Sequence, residues 1–270
     1  MDKERFLAPL ENKDRVLVAR ILDQAEFALK KTDPVATDFL DPSEKTLCSE
    51  VIHFLPEIKT LFFGGYRKAE RQRMVLVPAF YLTEAVESPL AYLSIKPPAK
   101  KGKVAPSGAE EPCFTHRDVL GALLGLGLKR EKIGDLLLTK DEAQAIVAEE
   151  IADFIQTNLT KVGALAVTVE AIDPEQLNIP VERVKEIKST VASLRLDAVA
   201  GIGYGVSRSR MAREIKMAKV KVNWRPVTDP DYKVDVGDVL SMRGRGRVVV
   251  AELGGETKKG RLVVKLNRLL

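Results

Sequence analysis

The sequence is poor in the residues that most chemistry needs. Only two cysteines occur in 270 residues, Cys48 and Cys113, and neither has partners at metal-ligand spacing. That leaves no metal-ligating set and favours free structural thiols in a reduced, cytoplasmic setting. Histidine is as scarce, with His53 and His116 alone. No stretch of eighteen apolar residues occurs, so no membrane insertion is expected, and the start Met1-Asp2-Lys3-Glu4 lacks a signal-peptide profile. A phosphate-loop sequence, zinc-spaced Cys/His sets and a nucleophile elbow are all missing. Gly121, Gly125 and Gly127 make no dinucleotide fingerprint, because Arg130 stands where the last glycine belongs; close helix packing is the expected reason for them. His116 lies two residues from Asp118 at a helix start, and without a nucleophile or metal cluster beside it a capping box of Thr115 and Asp118 with an incidental histidine is expected. His53, next to Phe54, reads as packed or half-exposed. Neither a cofactor nor a metal is expected.

What is present is charge, distributed unevenly. The chain carries 43 Lys+Arg against 38 Asp+Glu, a formal +5. Residues 181–270 hold 20 basic and 10 acidic side chains, a net of +10, whereas the first 180 hold 23 and 28, a net of −5. A composition of 45% hydrophobic and 30% charged residues is that of a globular protein, long enough for two or three domains. A strongly basic C-terminal third marks a polyanionic partner, either nucleic acid or an anionic membrane surface.

That third opens with Arg195-Leu196-Asp197, crosses a glycine-rich turn at Gly201–Gly205, and starts a basic helix at Ser207-Arg208-Ser209-Arg210. Ser207 is a good N-cap for a helix to about Ala218. Met211, Ile215 and Ala218 form its apolar stripe, and Arg210, Arg213 and Lys216 a second face. The helix start can seat a phosphate. Lys219 and Lys221 lead into the alternating run Val220–Asn223, followed by Trp224 and Arg225, and Gly237-Asp238 turns the chain into Val239–Arg243. Arg243, Arg245 and Arg247 alternate with glycines between strand-like runs. An ordered strand presenting all three guanidiniums on one face is favoured over a disordered Arg-Gly tail.

These pieces resemble the RNA-binding module named after ribosomal small-subunit protein four: an Arg-Leu-Asp opening, a Ser-Arg helix, a Val-x-Val-Asn strand and a Gly-Asp turn, in order and at the usual spacing. Two departures stand out. Ala218 replaces the usual glycine at the end of the basic helix, and Trp224 replaces the glycine of Asn-Gly, which argues against a two-residue hairpin turn. The Asn223-Trp224 pair with Arg243-x-x-x-Arg247 downstream resembles, more narrowly, the YlmH family of RNA-binding proteins.

Residues 1–72 read as mostly helical. A rough amphipathic helix runs from Lys13 to Lys30 on Val16, Ala19, Leu22, Phe27 and Leu29, and Asp41-Pro42-Ser43-Glu44 starts another that reaches Phe54. Phe62–Tyr66 reads as a strand entering a turn, followed by Arg67 and Arg71. On the residues alone this is a solvated turn with Tyr66 in the core. The Gly64-Gly65-Tyr66, two residues, then Ala69-Glu70-Arg71 signature also resembles the YlmH family, which makes Tyr66, Arg67, Arg71, Lys129 and Arg130 a secondary set of RNA-contact candidates. Residues 73–175 read as α+β: strands at Met74–Val77, Leu90–Ile95, Asp135–Leu138, Gln144–Ala148 and Ala164–Val169, with helices Thr115–Leu128 and Glu149–Leu159. This suggests a ferredoxin-like unit that lacks the aromatic motif of an RNA-recognition-motif sheet. Pro97 to Pro112 reads as a mobile loop in preference to a lysine-rich RNA contact. Thr115–Asp118 and Arg130-Glu131-Lys132-Ile133-Gly134-Asp135 extend the family resemblance over nearly the whole chain. The expected fold is α+β and multidomain, with the RNA-binding module at 181–270.

The resemblance implies a non-enzymatic, monomeric protein that binds structured RNA: ribosomal RNA of the large subunit, with transfer RNA a further candidate, in quality control of stalled nascent chains. Its site residues would be Arg195, Ser207, Arg208, Ser209, Arg210, Arg213, Lys216, Lys219, Lys221, Asn223, Trp224, Arg225, Arg243, Arg245 and Arg247. Enzymes that carry the module, such as pseudouridine synthases, need a further catalytic domain whose motifs do not occur here. The alternative is a division-linked adaptor holding an anionic membrane surface or a protein partner.

Overall fold

The computed structural model describes residues 3–98, 114–180, 183–257 and 260–269, in two compact units, Met1–Pro180 and Val181–Leu270. Most of the lysine-rich stretch expected as a loop, together with Cys113, lies outside the described residues.

The first unit begins with α1 (Glu4–Leu7) and α2 (Asn12–Lys31). The face that α2 buries is Leu17, Val18, Ile21, Leu22, Ala25 and Ala28, a 3.6-residue period. Val16 and Phe27, placed by the sequence on the packed face, are 71% and 48% exposed. Strand β1 (Val35–Leu40) follows, and α3 (Pro42–His53) starts as expected. The Glu44 amide donates to Asp41 Oδ1 and the Asp41 amide to Glu44 Oε2, each at 2.9 Å, with Pro42 in the first turn. Strands β2 (Ile58–Phe63) and β3 (Gln72–Pro78) complete an antiparallel sheet of order β1-β3-β2. The N-terminal region is therefore helical at its start but built on a sheet as well. Met74–Val77 is the central strand of that sheet, so a boundary near residue 72 cuts through it. The polar Thr37 and Asp38 hide β1 from an alternation test; Thr37 is buried because its hydroxyl accepts from the Met74 amide.

The remainder of the unit runs β4 (Leu90–Lys96), α4 (His116–Gly125), β5 (Ile133–Leu138), β6 (Ala143–Ala148), α5 (Ala152–Asn158), β7 (Lys161–Val162), β8 (Leu165–Ala166) and β9 (Thr168–Ala171). Its antiparallel order β5-β6-β4-β9 is the expected ferredoxin-like βαββαβ arrangement. The single strand expected over 164–169 is broken into short pieces. Thr115 caps α4 in a capping box with Asp118, and hydrogen bonds from the Thr115 hydroxyl and amide hold that carboxyl below its usual range. This leaves His116 a first-turn residue, as expected. The spaces beside Gly121, Gly125 and Gly127 are open, so close helix packing is not their reason; Gly127 has φ +84° where α4 ends.

One face of this sheet packs on its own helices, through Leu93, Ile95, Ala145 and Val147 against Val119, Leu123 and Ile155. The other face is covered as well: Leu90, Ile146 and Ala148 meet Phe39, Phe63, Tyr66 and Leu177. The surface on which related sheets stack bases is closed here by the N-terminal sheet.

The second unit runs β10 (Val184–Val191), α6 (Leu196–Tyr204), α7 (Arg208–Lys216), β11 (Val220–Val222), β12 (Arg225–Pro226), β13 (Val239–Met242), β14 (Gly246–Glu256) and β15 (Leu262–Leu269). The strands form one antiparallel sheet, β10-β15-β14-β13-β11-β12. Its core joins Leu196, Val199, Ala200 and Tyr204 of α6 and Met211 and Ile215 of α7 to Val220, Leu240, Val248, Val250, Val264 and Leu266 of the sheet.

Candidate nucleic-acid interface

The glycine-rich stretch is a helix, which corrects the turn expected there. Gly201 and Gly203 lie inside α6, and Gly205 ends it in the left-handed region at φ +64°. Glycine inside a helix costs about 1 kcal/mol relative to alanine, and packing explains why it stays. A Cβ on Gly203 would sit 2.7 Å from Val248 Cγ1, and one on Gly201 3.0 Å from the Val206 carbonyl oxygen. Helix α6 thus lies directly on β14, with α7 starting against it.

Asp197, 3% exposed, ties the two helices together. It accepts from Arg195 Nε (3.2 Å) and Nη2 (2.9 Å) and from Arg208 Nε (3.1 Å); Arg195 also pairs with Asp231. A buried carboxylate is tolerated only when paired in this way. Arg195 is therefore mainly a partner of buried and surface carboxylates, and Arg208 enters the surface already oriented.

Helix α7 buries Met211 and Ile215 and leaves Arg208, Ser209, Arg210, Arg213 and Lys216 exposed. Ser207 is its N-cap in backbone conformation, but its hydroxyl makes no cap bond and lies 3.5 Å from Ser209 Oγ. Ala218 is not part of the stripe: the helix ends at Lys216, and Ala218 is an exposed left-handed residue at φ +55°. It adopts the conformation for which glycine is the usual choice. Lys219 pairs with Glu214 at 2.8 Å. That hydrogen bond, opposed by burial, holds the Glu214 carboxyl below its usual range, and the charges of Arg210 and Arg245 add to the effect. Arg210 on the helix and Arg245 are thus both near enough to this carboxylate to act on it.

Asn223 and Trp224 form the two-residue hairpin turn between β11 and β12 after all, with φ +48° and +65°. Asn223 is held by the neighbouring turn: its Nδ2 donates to Asp238 Oδ1 (2.8 Å), and its Oδ1 accepts from the Val239 amide (2.9 Å). Its side chain is thus structural. Trp224 is half-buried, lies outside the unit's core cluster, and has the Arg247 guanidinium 6.0 Å from its ring centroid. Lys221 and Arg225 are exposed beside it.

Arg243, Arg245 and Arg247 are not a row on one strand. β13 stops at Met242 and β14 starts at Gly246, so Arg243 and Arg245 sit on the hairpin turn between them and only Arg247 is in a strand. The turn closes through the Arg245 amide on the Met242 carbonyl (3.0 Å), and Gly244 and Gly246 both have φ +77°. Positive φ at these glycines is what ends the alternation the sequence suggested. Arg268 was not legible as part of this region, yet its guanidinium lies 5.9 Å from the Tyr204 ring and 3.5 Å from the Arg245 carbonyl oxygen.

The secondary set in the first unit divides. Asp135 accepts from the Tyr66 hydroxyl (2.8 Å), the Glu70 amide (2.7 Å) and the Arg71 amide (3.1 Å). Arg71 donates to the Phe39 carbonyl at 2.8 Å, and Arg130 to the carbonyls of Ile133 and Gly134. Burial, with Arg71 nearby, lowers the Arg130 pKa to about 10. Gly64, Gly65 and Gly134 have no room for a Cβ beside Ala69, Ile146 and Phe39. The two motifs thus clasp each other, with Tyr66, Arg71 and Arg130 turned inward, while Arg67 and Lys129 are exposed. Among the described residues no group of three or more His, Cys, Asp or Glu side chains could hold a metal ion, and no helix is long and apolar enough to cross a membrane.

Family models match along the chain: the N-terminal domain of YlmH over residues 13–80, the putative RNA-binding domain in YlmH over 112–176, and the S4 domain over 194–240. A Bacillus subtilis relative named ribosome-associated protein quality control protein P2 is 38% identical over 255 residues, covering 94% of this chain and 93% of the relative. Among solved structures, the cell division protein YlmH from Streptococcus pneumoniae aligns over 63% of this chain and 97% of its own, with a TM-score of 0.52 at 18% identity, a likeness of fold. With its three domains in order and a relative matched along nearly its full length, the chain belongs to the YlmH family of S4-domain proteins.

Proposed function

We propose that this protein is a non-enzymatic, monomeric RNA-binding factor whose second unit grips structured RNA of the large ribosomal subunit during quality control of stalled nascent chains, with transfer RNA as a neighbouring contact. The observation that carries this reading is the exposed basic face of α7, Arg208, Arg210, Arg213 and Lys216, in one unit with the exposed Lys221, Arg225 and Arg243. Phosphates and sugar hydroxyls are the groups that structured RNA presents to such a surface. The name of the Bacillus relative supports the ribosomal setting. Membrane attachment is the weaker reading, because Met211 and Ile215, the apolar side of the basic helix, are fully buried in the core and leave no free apolar face to insert.

The test is binding of the full chain to isolated ribosomal subunits and to a paired RNA hairpin over a salt series. The expected outcome is preferential binding to the large subunit and an affinity that falls with salt at a log–log slope of roughly −0.7 to −0.9 per phosphate contact. A salt-insensitive complex, or equal binding to both subunits, would overturn it.

A further inference from the structure

Beside the basic surface, the second unit contains a cleft that its fold does not fill. It measures about 490 Å³ and is lined by Val191, Ala198, Ile202 and Val206 together with Thr190, Ala192, Arg208 and Arg261. That volume falls in the range of roughly 300–1,000 Å³ typical of clefts that hold small organic molecules. Both arginines are anchored by one edge. Arg261 donates through Nε to Thr190 Oγ1 (3.0 Å) and through Nη2 to the Thr190 carbonyl (2.6 Å), and Arg208 donates through Nε to Asp197. Among the described residues, Arg261 Nη1 and both terminal nitrogens of Arg208 have no partner. The cleft also borders the start of α7, where the first backbone amides have no intrahelical acceptor and Ser207 makes no cap bond.

Aliphatic walls with two pre-oriented guanidiniums suit a flat, weakly polar ring carrying an anion. Valine, isoleucine and alanine side chains cover the ring faces. Guanidinium planes stack on bases, and their N–H forks bind phosphate oxygens. We infer that this cleft takes a single unpaired nucleotide, its base against Val191, Ala198, Ile202 and Val206 and its phosphate on Arg208 and Arg261. The inference rests on the RNA-binding reading and adds a subsite to it: paired RNA is held by the basic surface, and a nucleotide leaving the stack enters the cleft. A nucleotide that is already unpaired pays the least to do so.

The experiment compares two RNA hairpins with the full-length protein, one fully paired and one with a single bulged 2-aminopurine. The bulged hairpin should bind tighter, on the order of tenfold, and its fluorescence should rise as the base leaves its neighbours. Ala192→Trp, an exposed position on the cleft wall, fills the cleft without touching the core; Arg261→Ala removes one anchor by an independent route. Either variant should abolish the bulge preference while leaving melting temperature and paired-hairpin affinity unchanged. Adenosine monophosphate separates the sources of the nucleotide. If it erases the bulge preference without weakening paired binding, free nucleotides use the cleft too; if it does not, the occupant is the extruded nucleotide. Equal affinity of the unmodified protein for both hairpins overturns the subsite and leaves RNA binding intact. A preference that survives both variants also overturns it, and failure to bind either hairpin overturns the subsite and the RNA reading together.

Discussion

The two units differ in what several of their arginines touch. In the first, Arg71, Arg73 and Arg130 turn inward onto carbonyls and carboxylates. Arg73, 4% exposed, reaches the carbonyls of Thr37 and Pro89 and both oxygens of Glu150. Burial works against the charged form of Glu150, but hydrogen bonds from Lys132 and Arg73 overcome it and bring the carboxyl pKa down to about 2. In the second unit, Arg210, Arg213 and Arg243 are exposed and Arg245 is half-buried. A buried guanidinium satisfies fixed backbone acceptors and holds two sheets in register. An exposed one retains its N–H groups for a partner. Net charge alone would have separated the units as acidic and basic; the partners of each side chain show that the first unit ties Arg71, Arg73 and Arg130 into its own fold, whereas the second leaves Arg210, Arg213 and Arg243 exposed.

The sharpest way to break this comparison is Asp135→Ala. It removes the acceptor of three hydrogen bonds in the first unit and leaves Arg71 and Arg130 facing one another. A loss of about 3–5 kcal/mol is expected, read as a large fall in the melting transition by calorimetry, with RNA affinity unchanged at temperatures where the protein remains folded. The converse is the triple variant Arg210→Ala, Arg213→Ala and Arg245→Ala. Its affinity for paired RNA should fall by roughly 100-fold and its salt slope by about one unit per lost contact, with no change in melting. If the triple variant melts early, or the Asp135 variant loses RNA binding while folded, the division of labour is wrong.

Trp224→Ala gives a smaller effect. Because Trp224 is outside the core cluster, the expected result is about tenfold weaker RNA binding, the value of one lost stacking platform, at an unchanged melting temperature. A large fall in melting temperature would make Trp224 structural instead. The smallest change goes the other way. Ala218→Gly relieves a left-handed alanine and should stabilise the second unit by about 1 kcal/mol without altering affinity, as measured by denaturant unfolding.

Much of the local structure was legible because it depends on neighbours in sequence. The capping boxes at Asp41 and Thr115, the buried Met211 and Ile215, and the βαββαβ order all follow from short-range pattern. So did the family, since the Arg195-Leu196-Asp197, Ser207-Arg208 and Gly237-Asp238 pieces keep their spacing. What the sequence could not decide was anything set by contact across the chain. Gly201 and Gly203 suggest a turn until Val248 and the Val206 carbonyl show why a helix needs them there. Arg243, Arg245 and Arg247 suggest a strand until two positive φ values bend them into a hairpin. Trp224 argued against its own turn, yet the Asn223 bonds to Asp238 and Val239 hold the hairpin in that geometry. Tyr66 and Arg71 stood as RNA-contact candidates by family resemblance until Asp135, more than sixty residues away, proved to accept from the Tyr66 hydroxyl and the Arg71 amide. Residue type and spacing set which groups a chain can offer. Tertiary structure decides which of those groups are already satisfied by the protein itself, because a hydrogen-bonding group closed off by a buried partner is no longer available to a ligand.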